Sequence, residues 1–200
     1  MNGSTSAGRP REQAVEKRIR EATLKLLTER GYLDMSIEAV AAQASVSKRS
    51  IYLRYPTKAM LATAALASIW NTTEAPDTGA TYTDLELLLQ QGRGNVSSPA
   101  GASFIGYLLA DASRNQEAIQ MFERYITGPR RALYRTVLER GIGRGEVRED
   151  IDIDFVADLL RGPYYARILS GLPMPDDFQQ QVVKSLWCII CTDDTSIHSE

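Results

Sequence analysis

Ser36-Ile37-Glu38-Ala39-Val40-Ala41-Ala42-Gln43-Ala44-Ser45-Val46-Ser47-Lys48-Arg49-Ser50-Ile51-Tyr52-Leu53-Arg54-Tyr55-Pro56-Thr57-Lys58 is the stretch on which the reading of this 200-residue chain turns. Ser36 stands as an N-cap, and Ile37, Val40, Ala41 and Ala44 recur at helical spacing on one face of a short helix. Ala44-Ser45-Val46 makes a turn, and Ser47 caps a second short helix in which Ile51 and Tyr55, at i and i+4, point inward. Small Ala41 and Ala42 allow another backbone to approach closely. Pro56-Thr57 ends the second helix, because proline cannot continue it and disfavours helical geometry at Tyr55. Lys48, Arg49, Tyr52 and Arg54 are left facing outward beside Ser47 and Ser50. Two short helices in this order suit a helix-turn-helix, whose second helix enters the major groove of DNA. Lys and Arg can donate there to guanine O6 and N7, while Ser and Tyr hydroxyls reach phosphates. The helix N-termini near Ser36 and Thr57 offer backbone N–H groups to phosphates. The same pattern also suits a packed helical hairpin with a solvated basic face.

Outward from this segment the pattern stays helical. Residues 1–10 are polar and predict a flexible arm. From Arg11, Val15, Ile19, Ala22, Leu26 and Leu27 form one apolar stripe, and Gly31 stops the helix. Thr57 caps a helix from Lys58 to about Trp70. Asn71–Thr81 is polar, with Pro76 and Gly79, and reads as a loop. Further helices are predicted over Thr83–Gln91, Pro99–Ser113, Asn115–Gly141 (kinked or broken at Gly128-Pro129), Ile153–Ser170 and Asp176–Ile190, with loops at Gly92–Ala100 and Gly171–Pro175. No strand-like alternation is sustained. The expectation is an all-α protein of about nine helices: an N-terminal three-helix DNA-binding domain over 11–58, a connecting helix over 58–70, a helical body over 71–192 and a polar tail over 193–200.

The charge is divided along the chain. The first sixty residues carry eleven Lys/Arg against six Asp/Glu, or +5; the rest carry twelve against nineteen, or −7, which recovers the net −2. A basic head on an acidic body is what a protein shows when only its head meets a polyanion. Composition is globular, at 44% hydrophobic and 24% charged. The longest uncharged runs, Ala59–Thr73 and Asn95–Ala110, fall short of a membrane span, and Met1–Ser6 has no apolar core for a secretory signal. Two cysteines fit a reducing compartment, so a soluble cytoplasmic protein is expected.

Catalytic and metal chemistry finds little footing. Cys188-Ile189-Ile190-Cys191 lies in an apolar helix without a second pair or a nearby histidine, and reads as core rather than zinc ligand. The one histidine, His198, sits in the tail. Gly141-Ile142-Gly143-Arg144-Gly145 lacks the strand and lysine of a phosphate loop, and the acids of Asp150–Asp154 favour a helix N-terminus. Neither an enzyme, a metal nor a cofactor is expected.

Gly31-Tyr32 and the segment running on to Lys58 resemble the DNA-binding domain of the TetR family of transcriptional regulators. That signature reads G-(F/Y)…(T/S)-(V/I)-x-x-(I/V)-A-x-x-A-G-V-S-x-x-(T/S)-(L/I)-Y-x-(Y/R)-F-x-(S/T)-K, and the likeness covers about residues 11–70. Ser45 departs from it where glycine is usual, and Tyr55 where phenylalanine is commoner. Serine tolerates positive φ less well than glycine, so a slightly altered turn is expected. The resemblance implies that Tyr52 and Lys58 hold phosphates and that Ser47, Lys48, Arg49 and Ser50 form the base-reading end. Ser36 would be both cap and phosphate contact, and Arg54 shares the outward face. Arg9 and Arg11 could reach a minor groove.

The resemblance further implies a homodimer on a double-stranded DNA operator, with the last two helices of each subunit forming a four-helix bundle. Phe155, Leu159, Phe178, Val182, Leu186 and Trp187 are the candidates for that interface. An effector pocket is expected among the middle helices, where Phe104, Tyr107, Leu108, Met121, Phe122, Tyr125 and Tyr164 suit a small hydrophobic or aromatic molecule. The chain would then be a repressor released by such an effector. The alternative is a ligand- or partner-sensing helical dimer without DNA binding.

Overall fold

A computed structural model describes residues 8–70, 74–110 and 112–192, with only the backbone at 8–11. The elements are α1 (Gly8–Asp34), α2 (Ile37–Ala44), α3 (Lys48–Tyr52), α4 (Lys58–Ile69), α5 (Thr81–Ser97), α6 (Pro99–Ala110), α7 (Gln116–Phe122), α8 (Gly128–Gly143), α9 (Ile153–Leu169) and α10 (Phe178–Ile190). The fold is all-α, as expected. The helix beyond the expected nine arises because the run Asn115–Gly141 divides: a π-helical segment, Glu123–Thr127, separates α7 from α8. Pro129 opens α8, where its missing N–H costs nothing.

Two compact units form. Among the described residues, one comprises 8–70 with 98–126, the other 74–97 with 127–192. In the first, α1 packs on α2, α4 and α6, and α4 packs on α7. Ile19, Ala22, Leu26 and Leu27 of α1 are buried there, which is the apolar stripe of the sequence. Gly31 interrupts the run at φ 76, ψ 172, and the chain resumes to Asp34. The next residue, Tyr32, donates its backbone N–H to Ser103 Oγ at 2.9 Å.

In the second unit α5 packs on α8, α9 and α10. Leu85, Leu88, Tyr134, Val137, Leu138, Leu160 and Val183 are buried in its core. One expectation fails here. Gly92–Ala100 is not a loop, because α5 continues to Ser97. A Cβ at Gly92 would lie 2.8 Å from the Arg130 guanidinium, and Arg130 Nη2 donates to the Leu88 carbonyl at 3.0 Å. Arg93 donates to the carbonyls of Met174 (2.8 Å) and Asp176 (3.0 Å). These tertiary anchors outweigh the roughly 1 kcal/mol by which a helical glycine is disfavoured. The cysteines also separate: Cys191 is buried, but Cys188 is exposed on the outer face of α10. Asp152 caps α9 by accepting from Phe155 N at 3.1 Å.

Candidate nucleic-acid interface

Three hydroxyl caps set the directions of the short helices. Ser36 Oγ accepts from Ala39 N at 3.1 Å, Ser47 Oγ from Ser50 N at 3.1 Å, and Thr57 Oγ1 from Met60 N at 3.2 Å. Such caps contribute about 1 kcal/mol each. Between α2 and α3, Ser45 sits at φ 53, ψ 51. Its N–H donates to the Ala42 carbonyl at 3.2 Å, and Val46 N–H to the Ala41 carbonyl at 3.0 Å. This is the left-handed helix stop that glycine favours. The serine therefore adopts the left-handed conformation that glycine usually supplies. The two backbone bonds and the burial of Ala41 and Ala44 hold it there. Ala42, expected at the close approach, is exposed, whereas Ala41 and Ala44 are buried.

Ile51 and Tyr55 point inward, at 0% and 7% exposure. The Tyr55 hydroxyl donates to Glu16 Oε1 at 3.2 Å, and Arg20 holds the same carboxylate at 2.6 Å. A buried phenol thus has the partner it needs. Burial, followed by the Glu16 charge, raises its pKa above the ordinary tyrosine value.

With those two residues inside, Ser47, Lys48, Arg49 and Tyr52 are exposed on the outer side of α3, and Ser50 is half-buried beside them. The cations of this segment differ in their attachments. Lys48 Nζ lies 2.8 Å from Glu38 Oε1 across the angle between α2 and α3. That hydrogen bond lowers the Glu38 pKa and raises the Lys48 pKa from their ordinary values. Arg54 folds back on its own helix, Nη1 donating to Ser50 O at 2.9 Å and Ser50 Oγ at 3.3 Å. Lys58 is half-buried: Nζ donates to the Leu33 carbonyl at 3.0 Å and sits 4.5 Å over the Tyr32 ring. Burial pushes its pKa down, against the Asp34 charge. The Arg49 side chain makes no hydrogen bond or ion pair among the described residues, its backbone carbonyl alone accepting from Leu53 N. Nothing in the sequence marks Glu38 as part of this surface, because an acid in the first turn of a helix also suits the helix dipole. The Arg9 and Arg11 side chains lie outside the described residues.

The other candidates fall in both units. Phe104, Leu108 and Phe122 are buried in the first, Tyr107 and Met121 half-buried, and Tyr125 exposed. An aromatic chain runs there from Trp70 to Phe122 (5.8 Å), Phe104 (5.9 Å) and Tyr32 (5.0 Å). Tyr107 lies against Tyr32 at 4.1 Å. Tyr164 belongs to the second unit, against Phe178 at 5.1 Å, with a buried hydroxyl that has no hydrogen-bond partner. Of the residues assigned to a subunit interface, Phe155 and Leu159 are exposed, while Phe178, Val182, Leu186 and Trp187 are buried within the unit. Leu159, Pro163, Val182, Leu186 and Ile189 line a shallow groove of about 360 Å³ between α9 and α10.

A capped, left-handed turn between two short helices, with a basic exposed second helix, defines a helix-turn-helix DNA-binding module. The sequence pattern of the bacterial regulatory proteins of the tetR family matches residues 19–65, and that of the tetracyclin repressor-like C-terminal domain matches residues 75–186. The uncharacterized HTH-type transcriptional regulator Rv1556 of Mycobacterium tuberculosis (strain H37Rv) is 33% identical over 170 residues, 84% of this chain and 83% of that protein. The crystal structure of the TetR family transcription regulator SCO0332 superposes with a TM-score of 0.70 at 28% identity, over 89% of this chain and 99% of that one. FadR of Bacillus subtilis, solved in complex with stearoyl-CoA, shares the fold at a TM-score of 0.63 and 17% identity, over 86% of this chain and 96% of that one. The chain belongs to the TetR family of helix-turn-helix transcriptional regulators; it is a DNA-binding regulator and not an enzyme. Among the described residues no helix is long and apolar enough to cross a membrane.

Proposed function

We propose that this regulator is a homodimeric, sequence-specific repressor, released from its operator by a small hydrophobic or aromatic effector. The observation that carries the reading is the exposed outer side of α3, with Lys48, Arg49 and Tyr52 grouped on a helix braced by buried Ile51 and Tyr55. Ser47 and Ser50 flank the base-reading end, Ser36 and Arg54 stand beside the phosphates, and Tyr52 and Lys58 are phosphate ligands. Two such heads bind half-sites about one helical turn, ~34–36 Å, apart. Dimerisation through α9 and α10 is supported by exposed Phe155 (59%), Leu159 (40%) and Ile189 (62%), which water would otherwise cover at a cost. Phe178, Val182, Leu186 and Trp187 form the layer beneath. The effector reading is supported by the aromatic and soft apolar set Phe104, Tyr107, Leu108, Met121, Phe122 and Tyr125 within the first unit, and by the stearoyl-CoA bound to the FadR neighbour; Tyr164, also assigned to the effector site by the sequence, lies in the second unit.

Duplexes selected from a random pool, together with the DNA upstream of the chain's own gene, test the reading by gel shift. A preferred sequence with two related half-sites is expected. Equal, salt-sensitive binding to every duplex would overturn it. Light scattering gives the oligomeric state: wild type at twice the chain mass and Leu159→Asp at the chain mass, with helicity unchanged. A monomeric wild type would refute the dimer.

A further inference from the structure

Segment 36–58 carries four cations and a single carboxylate, Glu38. A carboxylate on a surface that meets phosphates weakens binding to every duplex alike, so its position calls for a reason. Its partner supplies one. Glu38 Oε1 lies 2.8 Å from Lys48 Nζ, the first residue of the reading helix, while both side chains remain more than half exposed, at 63% and 55%. The other charges nearby do not compete for Glu38: Arg54 is bonded to Ser50, and Lys58 to Leu33.

We propose that Glu38 is a specificity-determining residue of the DNA interface, holding the Lys48 ammonium across the angle between α2 and α3. This deepens the sequence-specific reading above and rests on it. A lysine is a point charge on a flexible stem, able to swing to any phosphate within reach. An ammonium has three N–H donors, and the bond to Glu38 occupies one. The remaining two are presented from a fixed position at the N-terminal end of α3, the end that reads base edges in this motif. On a non-cognate duplex, the ion pair must break before Lys48 can grasp a phosphate. On a cognate duplex it stays intact, and the two free donors meet guanine acceptors. Glu38 therefore lowers affinity for DNA in general by more than it lowers affinity for the operator, and discrimination is the difference.

The test uses the full chain as wild type, Glu38→Gln, Lys48→Met and the double variant. Anisotropy is read across a salt series on a random-sequence duplex and on duplexes that wild type selects from a random pool. Glutamine keeps the shape of Glu38, and circular dichroism checks the fold. Glu38→Gln frees Lys48 for one more phosphate, so the slope of log K against log salt on random DNA should steepen by about 0.9 per head. The gain on random DNA is bounded by the strength of an exposed ion pair, about two- to five-fold per head. Selected duplexes should gain less, so the ratio of selected to random binding falls several-fold. In the Lys48→Met background the same change should leave the slope unaltered. An unchanged slope in Glu38→Gln overturns the proposal. So does a gain that persists undiminished without Lys48, for Glu38 would then act only by repelling phosphate. A wild type that prefers no selected duplex overturns the underlying reading, and the proposal with it.

Discussion

Ser45→Gly isolates the one non-glycine residue with positive φ among the described residues. At φ 53, ψ 51 the serine Cβ is crowded by its own backbone, which costs an L-residue about 1–2 kcal/mol. Glycine removes that cost, but the freedom it gives the unfolded chain takes back about 0.5–1 kcal/mol. The serine is exposed, and its side chain makes no hydrogen bond among the described residues, so nothing further is lost. The net expectation is stabilisation by about 0.5–1 kcal/mol, or about 1–4 °C in Tm for a chain of this size. Urea unfolding followed by circular dichroism should show a raised midpoint with an unchanged slope. Ser45→Ala is the control: alanine shares the strain, so its stability should stay within about 0.5 kcal/mol of wild type. If Ser45→Gly is neutral or destabilising while Ser45→Ala is stabilising, the left-handed turn is wrong. Operator affinity should be unaltered by Ser45→Gly, because the glycine keeps the dihedral angles that already aim α3.

Four further substitutions probe other contacts. Arg49→Ala should weaken binding to selected duplexes by about 1–3 kcal/mol and relax preference at one base position, whereas Tyr52→Phe, which deletes a hydroxyl donor, should weaken random and selected duplexes alike; anisotropy on both sets separates the two, and a purely sequence-selective loss in Tyr52→Phe would contradict its phosphate role. Tyr55→Phe removes the donor to Glu16 Oε1 and should cost about 0.5–1.5 kcal/mol in urea unfolding with α3 still helical; a stabilised variant would mean that the hydroxyl is poorly satisfied. Gly31→Ala faces φ 76, ψ 172, a region nearly closed to other residues, and a Cβ 2.9 Å from Ser103 Oγ; a loss of about 1–3 kcal/mol is expected, and Ser103→Ala in the same chain should relieve the contact but not the backbone strain.

What could be read in advance was local. Capping by Ser36, Ser47 and Thr57 involves residues three apart, and the inward placement of Ile51 and Tyr55 follows from a four-residue step, so segment 36–58 announces its own geometry. The Tyr55 hydroxyl finds Glu16, thirty-nine positions away, and no periodicity marks that pair. Gly92 misleads for the opposite reason: its local tendency to break a helix is overridden by Arg130, from a helix distant in sequence. Nor does any pattern in the chain signal that α6 and α7 join the N-terminal helices in one compact unit while α5 joins the last three. That partition depends on which apolar faces meet, and the faces of Phe104 and of Leu88 look alike as text. The side-chain attachments of Lys48, Arg54 and Lys58 were equally hidden, since an outward cation and an anchored one have the same letter and spacing.

Those attachments bear on how the interface divides its labour. Fixing a free Lys or Arg side chain on binding costs up to about 1.5–2 kcal/mol in rotamer freedom. Lys48, Arg54 and Lys58 have given up part of that freedom already, to Glu38, Ser50 and Leu33. Lys58 is the most committed, because its ammonium also sits over Tyr32, which is locked in turn by Ser103 and Tyr107. Arg49 alone of the four enters the complex unanchored among the described residues. Anchored cations add affinity at low entropic cost but adapt little to an imperfect site. A free guanidinium loses entropy on binding and recovers it only where a planar pair of acceptors is offered, as at guanine. On the proposed reading, Arg54 and Lys58 would set how the head sits on a duplex, while Arg49 and the Glu38-held Lys48 would distinguish one sequence from another.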